Sequence, residues 1–266
     1  MLAALVLPRK PSHNRPVTTP TETPLLIAVV VPLRNEAGNV LPLLAEITAA
    51  LGARPFEVVC VDDGSDDATP NELAAASIAE PRLKVLRHRK CCGQSAAILT
   101  GIRAAKARFI ATLDGDGQND PADIPRLLAT LQADSQPDFL LVAGWRRRRN
   151  DPWLKRVSSR IANGVRRRLL RDNTPDTGCG LKVFTRSAFL ELPWFDHIHR
   201  YLPALMLRRG SRVVSMEVNH RPRERGRTKY GVGNRLWVSI GDLMGVMWLM
   251  RRAKTPEVMP RSGADA

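Results

Sequence analysis

Leu25–Val31 is seven apolar residues without a polar interruption, and Pro32 ends the run. A strand with one wet face alternates, whereas an unbroken run suits a strand whose sheet is covered on both faces. The pattern recurs at Phe56–Val61, Leu83–Leu86, Phe109–Leu113 and Phe139–Ala143. Between these runs, Ala37–Leu51, the stretch around Asn71–Ala79, Gln94–Ala107 and Ile124–Leu131 carry helical spacing, and Gly52 closes the first. Strand and helix therefore alternate to residue 143. That order predicts an α/β fold with a mainly parallel sheet, right-handed crossovers and flanking helices. Beyond it the regularity weakens: Trp153–Leu170 and Tyr201–Arg209 read as helices, Val183–Leu192 mixes strand and helix signals, and Val213–Val218 reads as a last strand. A chain of 266 residues is long enough for one such domain with appendages, and 44% hydrophobic content argues against wholesale disorder.

Three of the strands run into polar clusters. The first leads to Asn35-Glu36, the second to Asp62-Asp63-Gly64-Ser65-Asp66-Asp67, and Phe109–Leu113 to Asp114-Gly115-Asp116-Gly117-Gln118. Parallel strands end on the same side, so these clusters should converge at the carboxyl edge, where open α/β sheets bind ligands. Two carboxylates two residues apart can share one hard cation, and such a cation commonly bridges to phosphate oxygens. Asp-Gly is equally ordinary turn chemistry, and Asp66 or Asp67 could serve as a cap for the helix after Pro70. Lys90–Ser95 contains Gly93 and precedes a helix, so its N–H groups could face an anion. The repetition at successive strand ends is what favours a site.

The net charge is +15, and two segments carry the excess. Residues 146–171 hold eleven Lys/Arg against one Asp, and residues 208–229 hold eight against two Glu. Such segments suit a polyanion: nucleic acid, anionic headgroups or a phosphorylated substrate. The four cysteines, Cys60, Cys91, Cys92 and Cys179, lack zinc-finger spacing and are expected as free thiols in a reducing compartment. Met1–Leu7 is apolar but lacks a basic flank and a cleavage site, so no signal peptide is expected. Leu236–Met250 contains Asp242 and is too short to be read as a membrane span.

The motifs together carry a resemblance. Val-Pro-x-x-Asn-Glu at Val31–Glu36, Asp-Asp-Gly-Ser-x-Asp-x-Thr at Asp62–Thr69 and Asp-x-Asp-x-Gln-x-x-Pro at Asp114–Pro121 resemble inverting family-2 glycosyltransferases of GT-A fold. Gly144-Trp145-Arg146, Asp176–Lys182 and the Arg221–Tyr230 stretch are similar to the polyprenyl-phosphate sugar transferases of the dolichol-phosphate mannosyltransferase type, and the likeness covers roughly residues 25–251. It implies a metal-dependent enzyme that moves a sugar from a GDP- or UDP-linked donor to a dolichyl- or undecaprenyl-type phosphate. Mg²⁺ or Mn²⁺ would be held by Asp114 and Asp116. The nucleotide-sugar would lie against Pro32, Asn35, Glu36, Asp62, Asp63, Gly93 and Gln94, with Asp116 and Gln118 beside the transferring sugar. Family members often have Gly-Phe-Arg where this chain has Gly180-Leu181-Lys182, and many carry transmembrane helices after the catalytic domain.

A phosphate monoester is largely a dianion at neutral pH, so such an acceptor needs no strong base and no catalytic histidine. It needs cations that hold it in line. Arg146, Arg156, Arg200, Arg221, Arg223 and Lys229 are the candidates, with Ser159 adding a hydroxyl. His197 and His199 are expected to be structural. Projected on a helix, Trp153, Val157, Ile161, Val165 and Leu169 share one side, while Lys155, Arg156, Arg160, Arg166 and Arg167 fall mostly on the other. That pattern fits a helix in a membrane interface, or one covering the sheet with a solvated basic face. Leu236–Met250, with Trp237, Trp248, Arg235, Arg251 and Arg252, is a second interface candidate.

The expected organisation is a flexible arm over 1–24, a catalytic domain over 25–233, an amphipathic interface helix over 234–252 and a disordered tail over 253–266. The protein would sit peripherally on the cytoplasmic face of the membrane, with a membrane-protein partner or a second copy as further possible contacts. Two other readings stand beside this one. A family-2 enzyme could use a glycan or protein acceptor. A basic nucleic-acid-binding protein would fit the charge, although no nucleic-acid module is present and acidic strand ends would repel a phosphate backbone.

Overall fold

The computed structural model describes residues 24–147, 164, 166–222, 233–252 and 254. The arm before residue 24, most of the Trp153 helix, Arg156, Ser159, Arg223 and Lys229, and the tail from residue 255 lie outside the described residues.

Among the described residues, seven strands form one sheet: β1 (Ile27–Leu33), β2 (Phe56–Asp62), β3 (Leu83–Arg87), β4 (Phe109–Thr112), β5 (Leu140–Trp145), β6 (Lys182–Thr185) and β7 (Arg212–Glu217). Their spatial order is β3-β2-β1-β4-β6-β5-β7. All adjacent pairs are parallel except those made by β6, which runs antiparallel to both β4 and β5. The mixed signal at 183–192 resolves into β6 followed by α5 (Arg186–Leu190).

The unbroken apolar runs are explained by two cores. Ile27, Val29 and Val31 of β1 face one core under α1 (Val40–Leu51), α2 (Thr69–Ala79) and α4 (Ile124–Gln132). Ala28 and Val30 face the other, under α3 (Gln94–Ala104) and α6 (Ile198–Arg208). β1 is fully buried from Ile27 to Val31, and β2 is buried throughout. The last helix, α7 (Gly233–Arg251), packs on α6 through Leu243, Val246 and Met247.

Helix starts are displaced from the spacing alone. α1 begins at Val40 rather than Ala37, because the chain first turns through Asn35, at φ +50°, and Gly38. α3 ends at Ala104. The predicted division of the Trp153 helix fails at its described end. Arg166, expected on the solvated face, is buried and donates from Nη2 to the Thr174 carbonyl at 3.1 Å, with Asp172 at 3.6 Å. Leu169, on the expected apolar side, is exposed, and it is Leu170 that belongs to the core. A basic side chain with an acidic partner inside can be buried where spacing alone would leave it in water.

Candidate active site

Because β6 is antiparallel, its first residue enters the sheet at the edge where β1, β2, β4 and β5 finish. Lys182 pairs in register with Thr112 of β4 and Ala143 of β5. The segment leading into β6 therefore lies directly beside Asp114.

Asp114 follows β4 and is half-buried. Its Oδ1 accepts from Gln94 Nε2 at 2.8 Å and its Oδ2 from Asn119 Nδ2 at 3.3 Å. A Cβ on Gly180 would stand 2.2 Å from Asp114 Oδ2, so only glycine leaves room for that carboxyl. A Cβ on Gly115 would lie 2.3 Å from Leu33 Cδ2, so a side chain there would have to displace the end of that leucine. Burial pushes the Asp114 carboxyl above the usual range, and the Asp116 charge adds to the rise; Lys182, Arg146 and Asn119 oppose it. A half-buried carboxyl with a second carboxylate two residues on is a donor set that a divalent cation would neutralise, and the all-oxygen chemistry suits Mg²⁺ or Mn²⁺. Asp116 is half-buried and its Oδ1 accepts from Gln118 N at 3.2 Å.

Lys182, where family members often carry Arg, is buried at this edge and donates to the Cys179 carbonyl. Burial lowers its ammonium pKa, against the pull of Cys179, Asp114 and Asp176. Asn119 was not singled out at the level of sequence, although it sits within the acidic motif. It is buried, bonds Asp114 and forms an antiparallel bridge with His220.

The second cluster sits at the end of β2, with β1 between it and β4. Asp62 is 1% exposed; its Oδ1 accepts from Ser65 N at 2.9 Å and its Oδ2 faces Arg87 Nε at 3.0 Å. Asp63 is held by four donors: Cys92 N at 2.8 Å, Gly93 N at 2.8 Å, His88 Nδ1 at 2.7 Å and Cys91 Sγ at 3.2 Å. Burial raises its pKa, but these bonds outweigh it and hold the carboxyl below its ordinary value. The N–H groups expected to face an anion thus face the carboxylate of Asp63. Asn35 N donates to Ser65 Oγ at 2.9 Å and Glu36 N to Thr69 Oγ1 at 2.8 Å, which tie the first strand end to the second. Pro32, half-buried, pairs in register with Val61 beside them. Neither Asp66 nor Asp67 caps α2: its N-cap is Ala68, with no side-chain cap bond, and Asp67 accepts from Thr69 N at 2.9 Å in the turn before it.

The cations are placed unevenly. Arg146 is largely buried and forms a two-point pair with Asp176, Nε to Oδ2 at 2.7 Å and Nη2 to Oδ1 at 2.9 Å. Arg221 bridges Glu46 at 2.8 Å and Asp120 at 2.7 Å, and its carbonyl accepts from Gln118 Nε2 at 3.4 Å. Arg200 lies in the first turn of α6, half-buried, close enough to depress His199. The two histidines are structural ties: His199 Nδ1 meets Ser95 Oγ at 2.7 Å, and His197 Nδ1 meets Asp242 Oδ2 of α7 at 2.9 Å.

Comparison with known proteins places this geometry. Residues 28–192 match the model of Glycosyl transferase family 2. A dodecaprenyl-phosphate galacturonate synthase of Rhizobium johnstonii is 36% identical over 238 residues, 87% of this chain and 69% of that protein. An undecaprenyl-phosphate 4-deoxy-4-formamido-L-arabinose transferase of Aeromonas hydrophila is 31% identical over 211 residues, 78% of this chain and 63% of the relative. Among solved structures, glucosyl-3-phosphoglycerate synthase from Mycobacterium tuberculosis, in complex with Mn²⁺, UDP and phosphoglyceric acid, superposes with a TM-score of 0.63 at 18% identity, covering 88% of this chain and 80% of the other. The mannosyltransferase PcManGT from Pyrobaculum calidifontis, in complex with GDP-Man and Mn²⁺, gives 0.58 at 20% identity, covering 88% and 67%. The chain belongs to glycosyltransferase family 2 and is a glycosyltransferase of GT-A fold.

Proposed function

We propose that this glycosyltransferase moves a sugar from a nucleoside-diphosphate donor to a polyprenyl phosphate, with inversion, as a peripheral protein on the cytoplasmic face of a membrane. The observation that carries the reading is the 36% identity, over 87% of the chain, to a dodecaprenyl-phosphate galacturonate synthase. The Asp114/Asp116 edge supplies the chemistry such a transfer needs.

Asp114 and Asp116 would hold Mg²⁺ or Mn²⁺, which when bound neutralises the donor diphosphate and eases departure of the nucleotide. Gln94 and Asn119 hold the Asp114 carboxyl in place, and the Lys182 ammonium beneath it limits the cost of two adjacent carboxylates. Asp62, Asp63, Asn35, Glu36 and Pro32 line the nucleoside end. Gly93 contributes there by fixing Asp63. Gln118, held by the Arg221 carbonyl, lies with Asp116 at the sugar end. An acceptor phosphate oxygen attacks the anomeric carbon, the bond from that carbon to the donor's β-phosphate oxygen breaks, and the nucleoside diphosphate leaves with the electron pair. The dianionic acceptor needs cations rather than a base. Arg200, Arg156, Arg223 and Lys229, with Ser159, are assigned to it. Arg146 and Arg221, already paired with carboxylates, act in this reading by holding the segments around Asp176 and Gln118.

The membrane contact is assigned to the outward face of α7. Ile240, Met244 and Trp248 recur at every fourth position there and are exposed, and Arg251 and Arg252 follow. No described helix is long and apolar enough to cross a membrane.

The test is a donor screen with purified protein, Mg²⁺ or Mn²⁺, a short-chain polyprenyl phosphate and labelled UDP- or GDP-linked hexoses, pentoses and uronates. Label should enter the organic phase with at least one donor, and Asp116→Ala should abolish it while circular dichroism is unchanged. Label appearing only on a water-soluble glycan or protein acceptor would reject the lipid acceptor.

A further inference from the structure

Among the described residues, a carboxylate oxygen of Asp63, Nδ1 of His88 and Sγ of Cys92 lie within 4.8 Å of one another. We propose that these three side chains form a second metal site, for a thiophilic divalent cation such as Zn²⁺, separate from the oxygen-only pair Asp114/Asp116. The inference does not depend on which sugar or acceptor the enzyme uses.

The chemistry divides the two sites. Hard cations such as Mg²⁺ and Mn²⁺ favour carboxylates and water, whereas Zn²⁺ favours thiolate and imidazole with a carboxylate as third ligand. Ligand atoms around a tetrahedral Zn²⁺ stand roughly 3.3–3.6 Å apart, so a closing movement on the order of 1 Å would assemble this set. Two of the ligands are already oriented. Backbone N–H groups of Cys92 and Gly93 fix the Asp63 carboxyl, one on each oxygen. The far nitrogen of His88, Nε2, meets Thr100 Oγ1 at 3.0 Å. A hydroxyl can give or accept a proton, so His88 can carry its proton on Nε2, bonded to Thr100, and turn a bare Nδ1 to the metal. That arrangement is the outer support metal-binding histidines ordinarily have.

The third ligand is accessible. Cys92 is exposed, and its thiol is engaged with the Lys90 carbonyl at 3.3 Å. Binding would release the thiol proton to solvent and leave water in the fourth position. Its neighbour Cys91 is a poorer ligand, because its thiol already donates to Asp63 Oδ2 and is also contacted by Arg34. The other two cysteines, Cys60 and Cys179, are buried and cannot report on a surface ion.

The experiment uses the full chain, kept reduced with a phosphine, stripped of metal and held in excess Mg²⁺ to saturate hard-cation sites. Cd²⁺ is the probe, since its thiolate complexes show a charge-transfer band in the ultraviolet. A single equivalent of Cd²⁺ should produce the band, and added Zn²⁺ should abolish it. Cys92→Ser should lose it, His88→Gln should weaken binding by at least about tenfold, and Cys91→Ser should keep it. Circular dichroism of each variant separates lost binding from lost fold. No band in the parent, displacement by Mg²⁺, or parent-like Cd²⁺ affinity in Cys92→Ser would overturn the site.

Discussion

A missing methyl group decides more at this site than any charge. The Asp114 carboxyl occupies the space that a side chain at residue 180 would fill. Gly180→Ala must push that carboxyl aside or shift the segment that leads into β6. A displacement of about 1 Å at a reacting centre can cost on the order of 100-fold in rate, and overpacking costs about 1–3 kcal/mol in stability. Transfer by Gly180→Ala should fall by about that factor while thermal melting shows a folded protein; turnover equal to the parent's would mean Asp114 does not need its present position. His199 gives a second test at this scale. Burial lowers its pKa well below 6.5, and Arg200, Lys182 and His197 add to the drop. The unfolded chain therefore binds a proton that the folded one refuses. Stability contributed by the neutral ring is fully present above pH 6.5 and is lost as pH falls from there toward the folded-state value, with a slope of at most about 1.4 kcal/mol per pH unit for one proton. Melting temperature followed from about pH 7 to pH 5 should drop less steeply in His199→Gln than in the parent; parallel curves would remove His199 as the cause. Asp114 and Asp116 could be read from the chain because a strand end announces its own carboxylates. Lys182 and the Arg146–Asp176 pair could not, because their burial depends on which strand inserts beside β4, and no local pattern states that.

At the scale of elements, β6 is the piece the sequence leaves ambiguous and the site most needs. Four residues of mixed signal become a strand only because the gap between β4 and β5 accepts them, and their antiparallel direction delivers Lys182 to the ligand edge. The alternating elements before residue 143 were legible because each apolar run has its own length and stop. The boundaries moved where side chains beyond the window intervene, as at α1, where Glu72 accepts from Gly38 N at 2.8 Å. α7 belongs to the same scale. Its inward face is clasped by the His197–Asp242 contact, and a double-mutant cycle on that half-buried pair should return a coupling of about 0.5–1 kcal/mol; zero coupling would mean apolar packing alone holds the helix. Its outward face bears Met244 and Trp248, 65% and 59% exposed. Replacing both by Ser should leave the melt unchanged and weaken binding to anionic vesicles by about tenfold or more, since each large apolar side chain contributes roughly 1.5–3 kcal/mol when buried. Undiminished vesicle binding would move the membrane contact away from α7.

For the whole molecule, the question is whether two apolar layers behave as one folding unit. They share a single sheet, and β1, an interior strand between β2 and β4, feeds both: Val29 points to the core beneath α1 and α4, Val30 to the core beneath α3 and α6. Both side chains are fully buried. A strand cannot lose its side chains on one face and keep its hydrogen-bond ladder for the other, so damage to either layer should be felt by both. The polar edge adds to this coupling, because Asp63, just after β2, holds the loop that starts α3, and Asn119 after β4 joins the segment beyond β7. Val29→Ala and Val30→Ala should therefore lower stability by similar amounts, about 1–3 kcal/mol each, and both should leave one transition. Far-UV dichroism and hydrogen exchange in α1 and α6 would be followed through urea unfolding. Coincident curves in both variants are expected of a shared sheet. If Val30→Ala released α6 and α7 at a lower urea concentration than α1, the α3/α6 layer would be a separable unit.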